Sequence, residues 1–112
     1  MSIRTITIPV NDVAAATTLY QTLLGTDPYV NESYYVGFRP ADGPEIGLDP
    51  HGDVATGPIT YFQVTDIEAT IAELTAAGAT VEGKAQDVGG GNLRATLRDT
   101  DHNILGLFQP AA

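Results

Sequence analysis

The chain contains no cysteine, no tryptophan and a single lysine, Lys84. Without cysteine there is no disulfide, no thiolate nucleophile and no thiolate metal site. Without tryptophan, the stacking surface for a planar ligand is limited to five tyrosines and three phenylalanines. Cations are scarce: five Lys and Arg against 14 Asp and Glu leave a formal net charge of −9. A surface of that sign repels a phosphate backbone, so no nucleic-acid partner is expected. Taken over the whole molecule, it also admits a cationic or neutral ligand more easily than an anionic one. Long apolar runs are missing as well, and nothing approaches the roughly 20 residues that span a bilayer. The opening MSIRTITIPV alternates and lacks the charged-then-apolar order of a secretory leader. No membrane partner is expected, and the cytoplasm is the expected location.

What is present suits one compact domain. A chain of 112 residues, 43% hydrophobic, can bury roughly two-thirds of its unfolded surface without staples. Residues 3–10 alternate with period two, Ile6, Ile8 and Val10 on one side and Thr5, Thr7 and Pro9 on the other, which predicts a half-buried strand. Asn11-Asp12 is a helix-start signal, and VAAATTLYQTLLG follows with Val13, Ala16, Leu19/Tyr20 and Leu23/Leu24 at helical spacing. Gly25 suits the left-handed C-cap. Three short strands follow, over 29–31, 33–39 and 45–49, the last two separated by the turn Ala41-Asp42-Gly43-Pro44. The second half repeats the plan: a strand over 58–64, a helix begun by Asp66 and ended by Gly78, then strands over 80–83, 92–98 and 104–109. Asp12 and Asp66 stand 54 positions apart, and VNDVAAA is answered by VTDIEAT. A repeat of half the chain length implies two βαβββ modules, about 1–53 and 54–112, within a single domain of α+β class. Gly89-Gly90-Gly91 precedes a strand pattern and lacks a Lys-Ser/Thr partner, so it is expected to be a hairpin or pocket-edge loop and not a phosphate cradle.

The βαβββ repeat, the stretch VNDVAAATTLYQTLLG and the closing DTDHNILGLFQ resemble the vicinal oxygen chelate superfamily, the group of glyoxalases, bleomycin-resistance proteins and extradiol dioxygenases. The likeness covers essentially the whole chain. DTDHN is similar to the family's D-P-D-G-N turn, although Thr100 and His102 replace its Pro and Gly. The resemblance implies that the sheets curl into a mixed-sheet cup with the helices outside. It also implies where a divalent ion is held in metal-dependent members: His or Gln in the first strand, Glu at the end of the fourth, His in the fifth and Glu in the eighth. Those positions fall on Thr5, Asp49, Ile59 and Gly106. One carboxylate beside Thr, Ile and Gly does not hold a divalent ion, so no metal and no other cofactor is expected. His51 and His102 fall in loops, and no catalytic residue is assigned.

The resemblance then points to the metal-free branch, whose members sequester small molecules unchanged. A cup of this kind needs aromatic walls and a few convergent polar groups. Tyr35, Phe38, Tyr61 and Phe108 are the candidate walls, and Thr7, Asp49, Gln63 and Arg94 the candidate polar contacts, Arg94 as a grip on a ligand carboxylate or phenolate. Tyr34 and Thr96 are further candidates. The expected function is metal-free binding of a small organic molecule, an antibiotic or metabolite, by a homodimer. The alternatives are a divalent-metal-dependent lyase or dioxygenase of the same superfamily with non-standard ligands, and an interaction module whose cup is filled.

Overall fold

Two aspartates start the two helices. Asp12 and Asp66 are both extended, and their carboxylates accept the N–H of Ala15 and Ala69, each at 3.0 Å. Such a cap satisfies a donor with no partner inside the helix and stabilises it by about 1 kcal/mol. Gln109 adds a second cap to the second helix, its Oε1 accepting the Ile67 N–H at 2.8 Å. Gly25 closes the first helix at φ +68°, and Gly78 follows the second at φ +113°. A computed structural model describes residues 2–112. The order is β1 (Ser2–Pro9), α1 (Val13–Leu24), β2 (Val30–Glu32), β3 (Tyr35–Phe38), β4 (Glu45–Asp49), β5 (Ile59–Gln63), α2 (Ile67–Ala76), β6 (Thr80–Asp87), β7 (Leu93–Arg98) and β8 (Ile104–Gln109). This is βαβββ twice, as the repeat predicts, in an α+β fold. No helix among the described residues is long and apolar enough to cross a membrane.

Contacts divide the chain into two compact units. The first is Thr5–Ile59; the second is Thr60–Ala112 together with the described residues before Thr5. In the first unit the strands run in the order β2-β3-β4-β1, with β1 parallel to β4 and the other pairs antiparallel. In the second the order is β5-β8-β7-β6, with β5 parallel to β8. Thr7 lies opposite Gly47, and Tyr61 opposite Gly106. Thr7 and Tyr61 are related by the 54-residue repeat, so Gly47 and Gly106 are counterparts.

Each unit buries one sheet face under its helix. In the first, Val36, Phe38 and Leu48 meet Val13, Ala16, Tyr20 and Leu24 of α1. The ambiguous apolar doublets of the sequence therefore resolve to Tyr20 and Leu24, while Leu19 and Leu23 face outward. In the second, Val64, Ile67, Ala95, Leu97 and Leu107 form the core, with Ile71 and Leu74 of α2 packed on it. Each fully buried aliphatic or aromatic side chain contributes about 1.5–3 kcal/mol.

The largest departure from the sequence reading is β6. It runs to Asp87 instead of stopping near Gly83, with two register shifts against β7. Bulges break the period-two alternation that sequence reading relies on. The Gly89-Gly90-Gly91 loop is the β6–β7 hairpin, all three glycines at positive φ and Val88 N–H bonded to the Asn92 carbonyl at 2.8 Å. In the β7–β8 turn, Asp99 accepts the N–H of Asn103 at 2.9 Å, Nδ2 of Asn103 at 3.1 Å and the N–H of Asp101 at 2.8 Å. Those donors, the Asn103 N–H foremost, hold its carboxyl below the usual range. His102 occupies the left-handed position of this turn at φ +68°.

Candidate functional site

Strand parity gives one face of the second sheet to α2 and leaves the other to polar and aromatic side chains. On that open face Tyr61, Gln63, Arg94, Thr96 and Phe108 come together, carried by β5, β7 and β8. Tyr61 lies against Gly106; a Cβ added at 106 would collide with its ring, so the close approach requires glycine. Arg94 stacks on the same tyrosine, 4.4 Å from guanidinium carbon to ring centroid, and donates from Nη2 to Tyr61 Oη at 2.6 Å. Beside them, Arg4 sits 4.7 Å over the Phe108 ring and donates from Nη1 to Gln63 Oε1 at 3.4 Å. A cleft of about 190 Å³ opens here, lined by Tyr61, Lys84, Gln86, Val88, Arg94 and Thr96 among others. That is small beside the ~300–1,000 Å³ of ordinary ligand pockets, and equals the space of about six waters.

No carboxylate lines this cleft, although the chain carries 14 acidic residues. Net charge favours cationic or neutral ligands, but the cleft carries the opposite sign locally, from Arg94 and Lys84. Arg98 and Arg39 have acidic partners, Glu82 at 2.5 Å and Glu45 at 3.9 Å. Among the described residues Arg94 has none.

The corresponding face of the first unit is differently furnished. Tyr35 lies over Gly47, and its hydroxyl donates to Glu45. Tyr29 donates to the other oxygen of the same carboxylate at 2.5 Å, and Arg39 stacks on Tyr29 at 3.9 Å. Partial burial, and then the Glu45 carboxylate, push the Tyr29 phenol above its usual range.

The candidates from the sequence thus separate. Tyr61, Gln63, Arg94 and Phe108 share one face of the second unit. Tyr35 and Thr7 belong to the first unit. The Thr7 hydroxyl is directed at the Ile59 carbonyl, 3.5 Å away. Asp49 ends β4 and accepts the His51 N–H at 2.8 Å, a turn contact. Phe38 requires a correction as a candidate wall. It is completely buried beneath α1, because it shares parity with Val36 and therefore faces the helix. Arg4, Lys84 and Gln86 were missed. Lys84 and Gln86 lie on the part of β6 that the bulges concealed; for Arg4 the signal was its rarity, one of five cations.

The positions at which metal-dependent relatives hold an ion do not fit one here. Thr5 and Ile59 lack suitable donors, and Gly106 has no side chain. Asp49 is the one carboxylate among the four positions, and it accepts the His51 N–H in a turn. Among the described residues no group of three or more His, Asp or Glu side chains comes together.

Comparison with known proteins adds the family. Residues 2–107 match the family model of the Glyoxalase/Bleomycin resistance protein/Dioxygenase superfamily. No curated protein sequence matches significantly. Among solved structures, one described as NAD-dependent benzaldehyde dehydrogenase from Legionella pneumophila aligns with a TM-score of 0.76 at 17% identity, covering 94% of this chain and 96% of that one. A glyoxalase/bleomycin resistance protein/dioxygenase superfamily member from Vibrio splendidus 12B01 gives 0.73 at 16% identity, covering 96% and 98%. Methylmalonyl-CoA epimerase from Mycobacterium tuberculosis gives 0.72 at 19% identity, covering 99% and 89%. At these identities the likeness speaks for the fold alone. With the βαβββ repeat and the match over nearly its full length, the chain belongs to the glyoxalase/bleomycin resistance protein/dioxygenase superfamily.

Proposed function

We propose that this protein binds a small organic molecule, without a metal ion, in the cleft on the open face of its second sheet. The observation that carries the reading is the Arg94–Tyr61 pair: a guanidinium held by stacking and one hydrogen bond, at the edge of a small cleft, with most of its donors uncommitted. Preorganised polar groups beside an apolar side chain, here Val88, suit reversible binding. The metal-dependent reading finds little support in the donor set, since of Thr5, Asp49, Ile59 and Gly106 only Asp49 offers a carboxylate and none offers an imidazole. Self-association into a homodimer belongs to the same proposal, because an exposed sheet edge favours a second copy; light scattering over a concentration series checks it.

The test is a thermal-shift screen of the wild type against a broad small-molecule library, with Ni²⁺, Zn²⁺, Mn²⁺ and Fe²⁺ in parallel arms. Hits that stabilise the wild type and lose their effect in Arg94→Ala support the proposal. Stoichiometric metal at micromolar affinity overturns it in favour of a metal-dependent enzyme. A library without hits overturns small-molecule binding altogether.

A further inference from the structure

The cleft also carries information about the chemistry of its occupant. Its polar side chains are rich in donors and poor in acceptors. Lys84 offers three N–H bonds and Arg94 five, of which one is used on Tyr61. Tyr61 accepts that bond, so its own O–H proton is available, and among the described residues nothing takes it. Against these, the acceptors among the side chains are fewer: the Gln86 amide oxygen, the Thr96 hydroxyl and the remaining lone pair of Tyr61. A cleft whose donors outnumber its acceptors this far is complemented by a ligand that brings acceptors and negative charge.

Of the four arginines, two have an acidic partner and two, Arg4 and Arg94, have none among the described residues, each lying over an aromatic ring of this face. Arg39 and Arg98 both have a glutamate, as is easy where acids outnumber bases 14 to 5. Arg94 is half-buried and has no acid among the described residues, and it lies over the buried Tyr61 ring. Stacking leaves the edge of the fork free, which is the geometry that receives a carboxylate through two parallel hydrogen bonds. Both rings on this face are already covered by guanidinium groups, Tyr61 by Arg94 and Phe108 by Arg4. Ring stacking is therefore not the main grip on a ligand. The volume of about 190 Å³ accommodates a short chain or a single ring.

We propose that the ligand is a small organic carboxylate, its carboxyl group seated between the Arg94 fork, the Lys84 ammonium and the Tyr61 hydroxyl, and its apolar body on Val88. This deepens the binding reading above and rests on it. Charge-assisted bonds of this kind correspond to roughly a tenfold or greater preference over a neutral group of the same shape.

The experiment is a matched panel measured by calorimetry at low salt: acetate, pyruvate and benzoate, each beside its amide. At least one acid is expected to bind roughly tenfold tighter than its amide, with affinity falling as salt rises. Arg94→Gln removes the preference, Arg94→Lys restores part of it, and Lys84→Gln weakens it severalfold. Should Arg94→Gln fail to fold, Lys84→Gln and the salt series still decide. Amides binding as well as acids, or neutral library compounds binding while every acid fails, overturns the carboxylate proposal and leaves small-molecule binding standing. Silence from both the panel and the broad library overturns the two together.

Discussion

The two units begin from the same βαβββ plan, yet they furnish their open faces in opposite ways. In the first, a carboxylate, two phenols and a guanidinium satisfy one another over Gly37 and Gly47: Glu45 accepts from Tyr29 and Tyr35, and Arg39 lies on Tyr29. In the second, a guanidinium lies on a phenol over Gly106, but the carboxylate is absent and a cleft opens instead. The register makes Arg94 the counterpart of Tyr35, because each stands two residues before the partner of its glycine. The comparison teaches that a repeat can hold its helix-facing core constant while one face is closed by internal pairing and the other left available. In this chain the difference reduces to where the acid sits.

Four measurements test that contrast. The largest effect is expected from Phe38→Ala, a fully buried ring under α1: about 3–5 kcal/mol of stability lost in denaturant unfolding. Ligand affinity of the fraction that stays folded should not change. Altered affinity would return Phe38 to the site.

Next come the two glycines. At Gly106 an added methyl meets the body of the Tyr61 ring, itself held by Arg94, so Gly106→Ala should cost about 1–3 kcal/mol. At Gly47 an added methyl meets the hydroxyl and ring of Tyr35, which Glu45 holds but which is less buried than Tyr61, so Gly47→Ala should cost less. Equal costs would mean that the two faces are equally rigid.

Smaller still is His102→Gly. Histidine at φ +68° carries a penalty of about 1 kcal/mol that glycine avoids, so the variant should melt a few degrees higher.

The smallest effects are those of pH, and they separate the units by sign. The Tyr29 phenol is raised in the folded first unit, so its contribution is complete below pH 10 and is lost as pH rises through the folded value. Asp99 is lowered in the folded second unit, so its contribution is present above the ordinary carboxyl value of 3.8 and is lost as pH falls through the folded one. Tyr29→Phe should flatten the alkaline limb alone, and Asp99→Asn the acid limb alone, in urea midpoints followed against pH.

Much of the fold was legible because its signals are local. Asp12, Asp66 and Gly25 specify helix ends through contacts no more than four residues away, and period-two alternation shows which residues share a sheet face. The candidate site was legible in part. Tyr61, Gln63, Arg94 and Phe108 follow from parity on strands whose registers were read correctly. Phe38 was misassigned because Tyr35 and Phe38, three positions apart on β3, cannot share a face, and aromatic character does not tell which of them meets the helix. Lys84 and Gln86 were hidden by the bulges of β6, where alternation no longer indicates the face. The pairing of Arg94 with Tyr61 spans 33 residues and has no local signature at all.

Tyr61 over Gly106 also restricts which sequences can follow this one. A glutamate cannot be introduced at 106 while the ring stands there, since the first carbon of any side chain already has no room. Shrinking Tyr61 first would strand Arg94 without its stacking partner. Placing an acidic side chain at that strand position therefore demands a fixed order of changes, through an intermediate worse than either end. Libraries that randomise residues 61, 94 and 106 together should reach solutions that stepwise mutation does not.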